Sequence, residues 1–340
     1  MKAAVFKELK KPLVVETIPD PTPGPRDVIL KVHRCGICGS DLHISEDPIF
    51  GVPPGVVLGH EYSGEVVAVG RDVKKIKTGD RIAAFPLESC GTCGDCLKGD
   101  PANCRVRFGV GGGGYGQFSK VEEHQCVRMP SSVSLEDGAL VEPMAVGLHA
   151  VNVSPIRSGA RIMVIGAGPI GLTTIYWARR MIGAGKIAVT ASSRTRENLA
   201  KEMGADTFID PQVPLKDQIR LTNEALGGPP EIVFECVGKT GLVQRCIDFA
   251  GKRGTVVIVG LCTEQDHYMP FTVIQKEITI IPSAFYDVRD FETSLDALNR
   301  GDTAPEEMVT DNIGLAALPS SFEALKHRST QCKVLVNPNS

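Results

Sequence analysis

From about residue 160 the chain alternates short, almost wholly apolar runs with segments of helical length. Arg161–Ile165, Lys186–Thr190, Asp206–Ile209, Ile232–Glu235, Thr255–Val259 and Ile278–Ile281 read as buried strands. In one intervening segment Leu199, Ala200 and Met203 recur at helical spacing. Strands too apolar to leave a face in water, most followed by a helix, demand a parallel sheet covered on both sides. The rhythm therefore predicts an α/β fold with a doubly wound parallel sheet. Residues 1–135 differ. Their apolar runs (Val28–Val32, Gly64–Val69, Arg81–Ala84) are broken by turns such as P-D-P-T-P-G-P at 19–25, which predicts β-rich structure. At 340 residues the chain is long for one core. The expected division is a β-rich domain over 1–150 and a doubly wound domain over 151–282. A return to the first domain is expected over 283–340, with Lys333–Val336 as its last strand.

Bulk properties exclude several classes. The net charge is −3, aromatics make up 5% and no basic block occurs; these oppose a nucleic-acid groove or an anionic membrane surface as partner. No apolar stretch approaches membrane-spanning length. The opening M-K-A-A-V-F has no apolar signal core, so the eleven cysteines point to a reducing, cytoplasmic setting.

Four of those cysteines, Cys90, Cys93, Cys96 and Cys104, fall in C-G-T-C-G-D-C-L-K-G-D-P-A-N-C. Thiolates at this density can close a tetrahedral S₄ shell around zinc. A closed shell leaves no position for water or substrate, so this metal would hold a loop. The wide last gap departs from ferredoxin runs, and a colourless protein is expected.

The segment R-I-M-V-I-G-A-G-P-I-G runs off a strand into G-x-G-x-x-G and on into a helix. Gly166 permits the tight turn, Gly168 lets backbone approach a pyrophosphate, and Gly171 allows close helix–strand packing. The free N–H groups and positive dipole at the start of the helix that opens with Pro169, Ile170 and Gly171 favour the phosphates. This is the context of a Rossmann dinucleotide site. About 20 residues on, a carboxylate would hold a ribose 2′-hydroxyl. Here the chain reads V-T-A-S-S-R-T-R, with Ala191 in the acid's place, then Ser192, Ser193, Arg194 and Arg196. Two hydroxyls and a guanidinium suit a 2′-phosphate, so NADP(H) is expected over NAD(H).

A second constellation spans H-R-C-G-I-C-G-S-D-L-H at 33–43, V-L-G-H-E-Y-S-G-E-V at 57–66 and L-V-E-P-M-A-V-G-L-H-A at 140–150. Cys38, His60 and one glutamate offer sulfur, nitrogen and oxygen, leaving a fourth position open as catalytic zinc requires. His60 and Glu61 are adjacent and would point to opposite faces of an extended strand, so the backbone must turn there, which Gly59 makes easier.

Taken in order, G-I-C-G-S-D-L-H, G-H-E, the four-cysteine loop, V-E-P and G-A-G-P-I-G resemble the zinc-dependent medium-chain alcohol dehydrogenases, nearest their sorbitol and threonine dehydrogenase branch. The resemblance covers essentially the whole chain. It implies a β-rich GroES-like catalytic domain, a cleft between the domains, two zinc ions per subunit and a homodimer or homotetramer. It also implies Cys38, His60 and Glu61 as zinc ligands, with Glu142 as the alternate carboxylate, and Ser40 and His43 as a proton path. In polyol-oxidising relatives an arginine near the start of the last segment binds sugar hydroxyls. Here I-P-S-A-F-Y-D-V-R-D places Phe285 or Tyr286 in that region, and Tyr115 and Phe118 are candidate pocket lining. The expected activity is hydride transfer between NADP(H) and a secondary alcohol or ketone with an apolar arm, as an alcohol dehydrogenase or carbonyl reductase. An NAD-linked polyol or amino-alcohol dehydrogenase is the alternative, and a non-catalytic family member is a more distant one.

Overall fold

Period-two alternation builds the N-terminal sheet. In the Asp27–Gly36 strand Val28, Leu30 and Val32 are buried while Lys31 and His33 face water. This strand lies at the centre of a seven-stranded sheet ordered Val309–Gly314, Lys333–Asn337, Asp27–Gly36, Glu61–Val69, Arg81–Ala84, Cys126–Arg128, with Phe118–Glu122 also paired to Asp27–Gly36. The inward residues Leu30, Val32, Val66, Ile82, Val334 and Val336 share one apolar core. Each such side chain, fully buried, contributes about 1.5–3 kcal/mol.

The computed structural model describes residues 1–327 and 330–340. They divide into two compact units, Met1–Glu142 with Tyr286–Ser340, and Pro143–Phe285. The second unit carries six strands, all in parallel pairings, ordered Thr207–Phe208, Lys186–Thr190, Arg161–Ile165, Ile232–Glu235, Thr255–Ile258, Thr279–Pro282. The first strand of the unit is thus central and the order reverses beside it, the doubly wound arrangement that places ligands at the carboxyl ends. Ile162, Met163 and Val164 are all fully buried, as a sheet covered on both faces requires. Three strands differ slightly from the sequence reading, Thr255–Ile258 by ending one residue early. Thr207–Phe208 is shorter, with Asp206 and Ile209 each donating one backbone bond to the Lys186–Thr190 strand, at the Ile187 and Val189 carbonyls. Thr279–Pro282 is shifted by one residue and ends in proline, which an edge strand tolerates.

The C-terminal strand Lys333–Asn337 pairs antiparallel with the end of Asp27–Gly36, Leu335 opposite Gly36 and Val336 opposite Cys35. That register carries Lys333 into the interior, where its ammonium donates to both oxygens of Glu61 at 2.7 and 2.5 Å and to the Ile37 carbonyl at 3.2 Å. The two side chains are 2% and 0% exposed. Removing one partner leaves a buried, uncompensated charge, which typically destabilises by about 3–5 kcal/mol. Lys333→Met is expected to shift the urea unfolding transition by that amount; a loss below about 1 kcal/mol would show that Glu61 finds compensation elsewhere.

Candidate functional site

Cys38 is the N-cap of the Gly39–Glu46 helix, with extended backbone at φ −95°, ψ 148°. His60 stands just before the Glu61–Val69 strand, and the preceding Gly59 has φ +85°. That left-handed turn keeps His60 out of the pleat, so the opposite-face rule for strand neighbours does not separate it from Glu61. One ligand atom each from Cys38, His60 and Glu61 lies within 4.8 Å of the others. Glu142 is outside this group; its Oε1 accepts from the Tyr286 hydroxyl at 2.8 Å. Ser40 Oγ lies 3.2 Å from Cys38 Sγ and 3.4 Å from His60 Nε2. His43, half-buried, follows Ser40 by three residues on the same helix, which keeps the two on one face.

Three further residues complete this cluster, and none was expected in it from the sequence. Asp41 Oδ1 lies 3.3 Å from His60 Nδ1. A carboxylate on one ring nitrogen fixes the tautomer, leaving Nε2 free to ligate. Its signal was available, since Asp41 sits between Ser40 and His43 in G-S-D-L-H. Tyr115 donates to Asp41 Oδ2 at 2.6 Å. Lys333 on Glu61 had no local signal, being 272 residues away.

The electrostatics favour a cation. Burial raises the Cys38 thiol pKa and the Glu61 charge adds to that, against His60. Burial likewise raises Glu142, to about 7, with Glu61 adding and His60 and Tyr286 opposing. Burial opposes charge on His60, yet Asp41 and Cys38 lift its pKa well above the ordinary imidazole value. One thiol and three carboxyls thus face one lysine and one histidine. A bound divalent ion would favour the ionised thiol and carboxylates that burial opposes, and the sulfur, nitrogen and oxygen donors are the types zinc takes.

In the cysteine loop, Cys93–Cys96, Cys90–Cys96 and Cys93–Cys104 sulfurs are 3.4, 3.8 and 3.8 Å apart. All four thiols lie within 4.8 Å of one another and none is disulfide-bonded. A tetrahedron with metal–sulfur bonds of about 2.3 Å has edges of about 3.8 Å, so the loop already holds the shape of a zinc shell. Backbone and hydroxyl donors of Thr92, with the Cys93 N–H, pull the Cys90 thiol down to about 6, as a thiolate ligand requires.

In the second unit Gly166 has φ +115°, and a Cβ on Gly171 would overlap the Gly166 carbonyl. Gly168 caps the Pro169–Trp177 helix, with Ile170 in its first turn. Ala191, Ser192 and Ser193 follow the Lys186–Thr190 strand, the serines exposed. Arg194 is held by carboxylates: its Nη2 is 2.6 Å from Glu197 and its Nη1 3.3 Å from Asp210. Arg196 instead lies against the glycine turn, donating to the Ala167 carbonyl at 3.3 Å.

The aromatic expectations need correction. Tyr115 lines no pocket; it is fully buried, edge-on to Phe322, because its hydroxyl satisfies Asp41. Phe118 is half-buried in its strand. Tyr286 is buried, packed edge-on to Phe85, whereas Phe285 is 39% exposed and has φ +59°. A left-handed backbone is rare for a bulky aromatic and marks local strain.

Residues 24–131 match the alcohol dehydrogenase GroES-like domain family, and residues 169–300 match the zinc-binding dehydrogenase family. The chain is 33% identical to sorbitol dehydrogenase from Halalkalibacterium halodurans, covering 95% of each. It is 34% identical to (R,R)-butanediol dehydrogenase from Bacillus subtilis over the whole of both chains. A zinc-binding dehydrogenase structure from Sinorhizobium meliloti 1021, bound to NADP, superposes with a TM-score of 0.87 at 31% identity over 99% of each chain. With both halves matched and relatives aligned end to end, the chain belongs to the zinc-dependent medium-chain alcohol dehydrogenase family, on its sorbitol dehydrogenase-like branch.

Proposed function

We propose that this chain interconverts a secondary alcohol and its ketone using NADP(H) and a zinc ion held by Cys38, His60 and Glu61, with Glu142 as the reserve carboxylate. The observation that carries the reading is the convergence of those three donors with the Ser40 hydroxyl against two of them. When bound, zinc supplies Lewis acidity that draws an alcohol's pKa toward neutrality, and the nicotinamide accepts or returns the hydride. Oxidation also releases the hydroxyl proton, and the Ser40 hydroxyl accepts it while giving its own proton onward to the half-buried His43. Asp41 keeps His60 oriented through Nδ1. Lys333 pairs with Glu61 and holds its carboxyl group in place away from water. The four-cysteine loop holds a second, structural zinc through a closed shell.

NADP(H) is supported by the missing acid at Ala191, by Ser192, Ser193 and Arg194 beside it, by Arg196 on the glycine turn, and by the NADP-bound Sinorhizobium relative. One observation favours NAD(H) as the second reading: Glu197 and Asp210 already occupy Arg194. For the substrate, Phe285 or Tyr286 in the region where an arginine is expected of polyol-oxidising relatives supports an alcohol with an apolar arm. The butanediol dehydrogenase relative is consistent with a small secondary alcohol.

Turnover of an alcohol and ketone panel with both cofactors tests the reading; equal or better efficiency with NAD, or activity confined to sorbitol-like polyols, overturns it. Arg194→Ala is expected to raise the KM for NADP(H) by about 10–100-fold, the worth of a charge-assisted hydrogen bond, and to leave NAD(H) unchanged. Ser40→Ala should lower kcat by about 100-fold or more with zinc content intact, since it removes the proton acceptor. Metal analysis should find two zinc equivalents per chain, falling to one in Cys93→Ser. A single wild-type equivalent, lost in that variant, would leave no catalytic metal.

A further inference from the structure

The phenol of Tyr115 is fully buried in the catalytic unit, yet it donates to a carboxylate rather than filling apolar space. Its hydroxyl lies 2.6 Å from Asp41 Oδ2, and the other oxygen of Asp41 lies 3.3 Å from His60 Nδ1. Asp41 is 1% exposed, Tyr115 0% and His60 6%, so water cannot substitute for either link. A third donor, the Gly59 N–H, reaches Asp41 Oδ1 only at 3.5 Å. The tyrosine is itself immobilised. Its N–H donates to the Leu58 carbonyl at 3.1 Å, the neighbouring Gly114 N–H donates to the Gly59 carbonyl at 2.9 Å, and Ala4 N–H donates to the Tyr115 carbonyl at 3.0 Å. The ring lies so close to Gly59 that a Cβ there would stand 2.6 Å from it. The segment carrying Tyr115 is thus clamped to the turn that carries His60, by backbone and by ring contact together.

We propose that Tyr115 is a positioning residue for the zinc centre, acting through Asp41 to hold the His60 imidazole with Nδ1 protonated and Nε2 turned toward Cys38. This rests on the reading of Cys38, His60 and Glu61 as the catalytic zinc ligands. The physical argument is that a buried carboxylate with two lone-pair-bearing oxygens needs donors on both. Without the phenol, Asp41 satisfies itself by rotating or by drawing more strongly on other groups, and the imidazole plane is no longer determined. Outer partners of metal-ligating histidines typically change metal affinity by about 10–100-fold, and one link further out the lower end is expected.

Tyr115→Phe tests this while preserving the ring that packs on Gly59 and Phe322. The readout is zinc release from the purified enzyme to a chromogenic chelator, with the four-cysteine zinc as internal control in the same molecule. The expected result is that the Cys38-site zinc leaves about 10-fold faster while the cysteine-loop zinc is unchanged. In the cobalt-substituted enzyme the visible ligand-field bands should shift. Asp41→Asn should show the larger effect, and Tyr115→Phe added to it should have no further effect, since a residue acting through Asp41 has nothing left to act on. If Tyr115→Phe leaves both zinc ions unchanged, or loosens both equally, or adds fully to Asp41→Asn, the inference is overturned. If the wild type holds zinc only in the cysteine loop, it is instead the assignment of the Cys38 centre that fails.

Discussion

Taking an ammonium and a carboxylate out of water is unfavourable by several kcal/mol per ion, so the Lys333–Glu61 pair persists only through close geometry and a carbonyl that takes a third donor of the ammonium. Those contacts do more than balance charge. They tie the last strand of the chain to the first residue of the Glu61–Val69 strand and to the Ile37 carbonyl, immediately before Cys38. Two of the three candidate zinc ligands are therefore anchored to one lysine. The apolar core behind them supplies most of the stabilisation of the unit, but hydrophobic burial is non-directional and cannot set the position of a carboxylate to within ångströms. The ion pair can.

Around that anchor the polar groups form a chain in which each member determines the next. Tyr115 orients Asp41, Asp41 orients His60, and Ser40 spans His60 and Cys38. In a low-dielectric interior such a network is favourable only if every member is satisfied. Burial opposes ionisation of the Cys38 thiol and of Glu142, and a bound divalent cation would reverse that opposition. The cysteine loop follows a different logic. Its four sulfurs come from a single short segment, all but that of Cys104 belong to half-buried residues, and they need no distant partner to approach one another. It can take metal as a local event, whereas the Cys38 centre exists only once the sheet has closed.

The dinucleotide half is built from backbone. Gly166 and Gly171 let a strand turn directly into a helix, and the N–H groups thus exposed provide most of what a pyrophosphate needs. Discrimination at the ribose is left to exposed side chains, where ion pairs are weak and screened. Arg194 is shared between Glu197 and Asp210, so a 2′-phosphate would have to compete with two carboxylates for one guanidinium.

The sequence by itself determined everything that is local or periodic. The parallel sheet was legible because strands buried on both faces must be continuously apolar, and the cysteine shell and the glycine turn because their residues are neighbours in the chain. The grouping of Cys38, His60 and a glutamate was legible in their donor types and in the order of the motifs that carry them, and the turn at Gly59 then supplied the geometry that an ideal strand forbids. Only the tertiary structure decided what each polar group faces. Tyr115, expected at a pocket, became a buried donor; Arg194, expected to be free for phosphate, acquired two carboxylates; Lys333, a terminal-strand residue without distinguishing context, became the counter-ion of the site. The reason is physical: desolvation and pairing depend on which surfaces meet across hundreds of residues, and composition and spacing carry no record of that encounter.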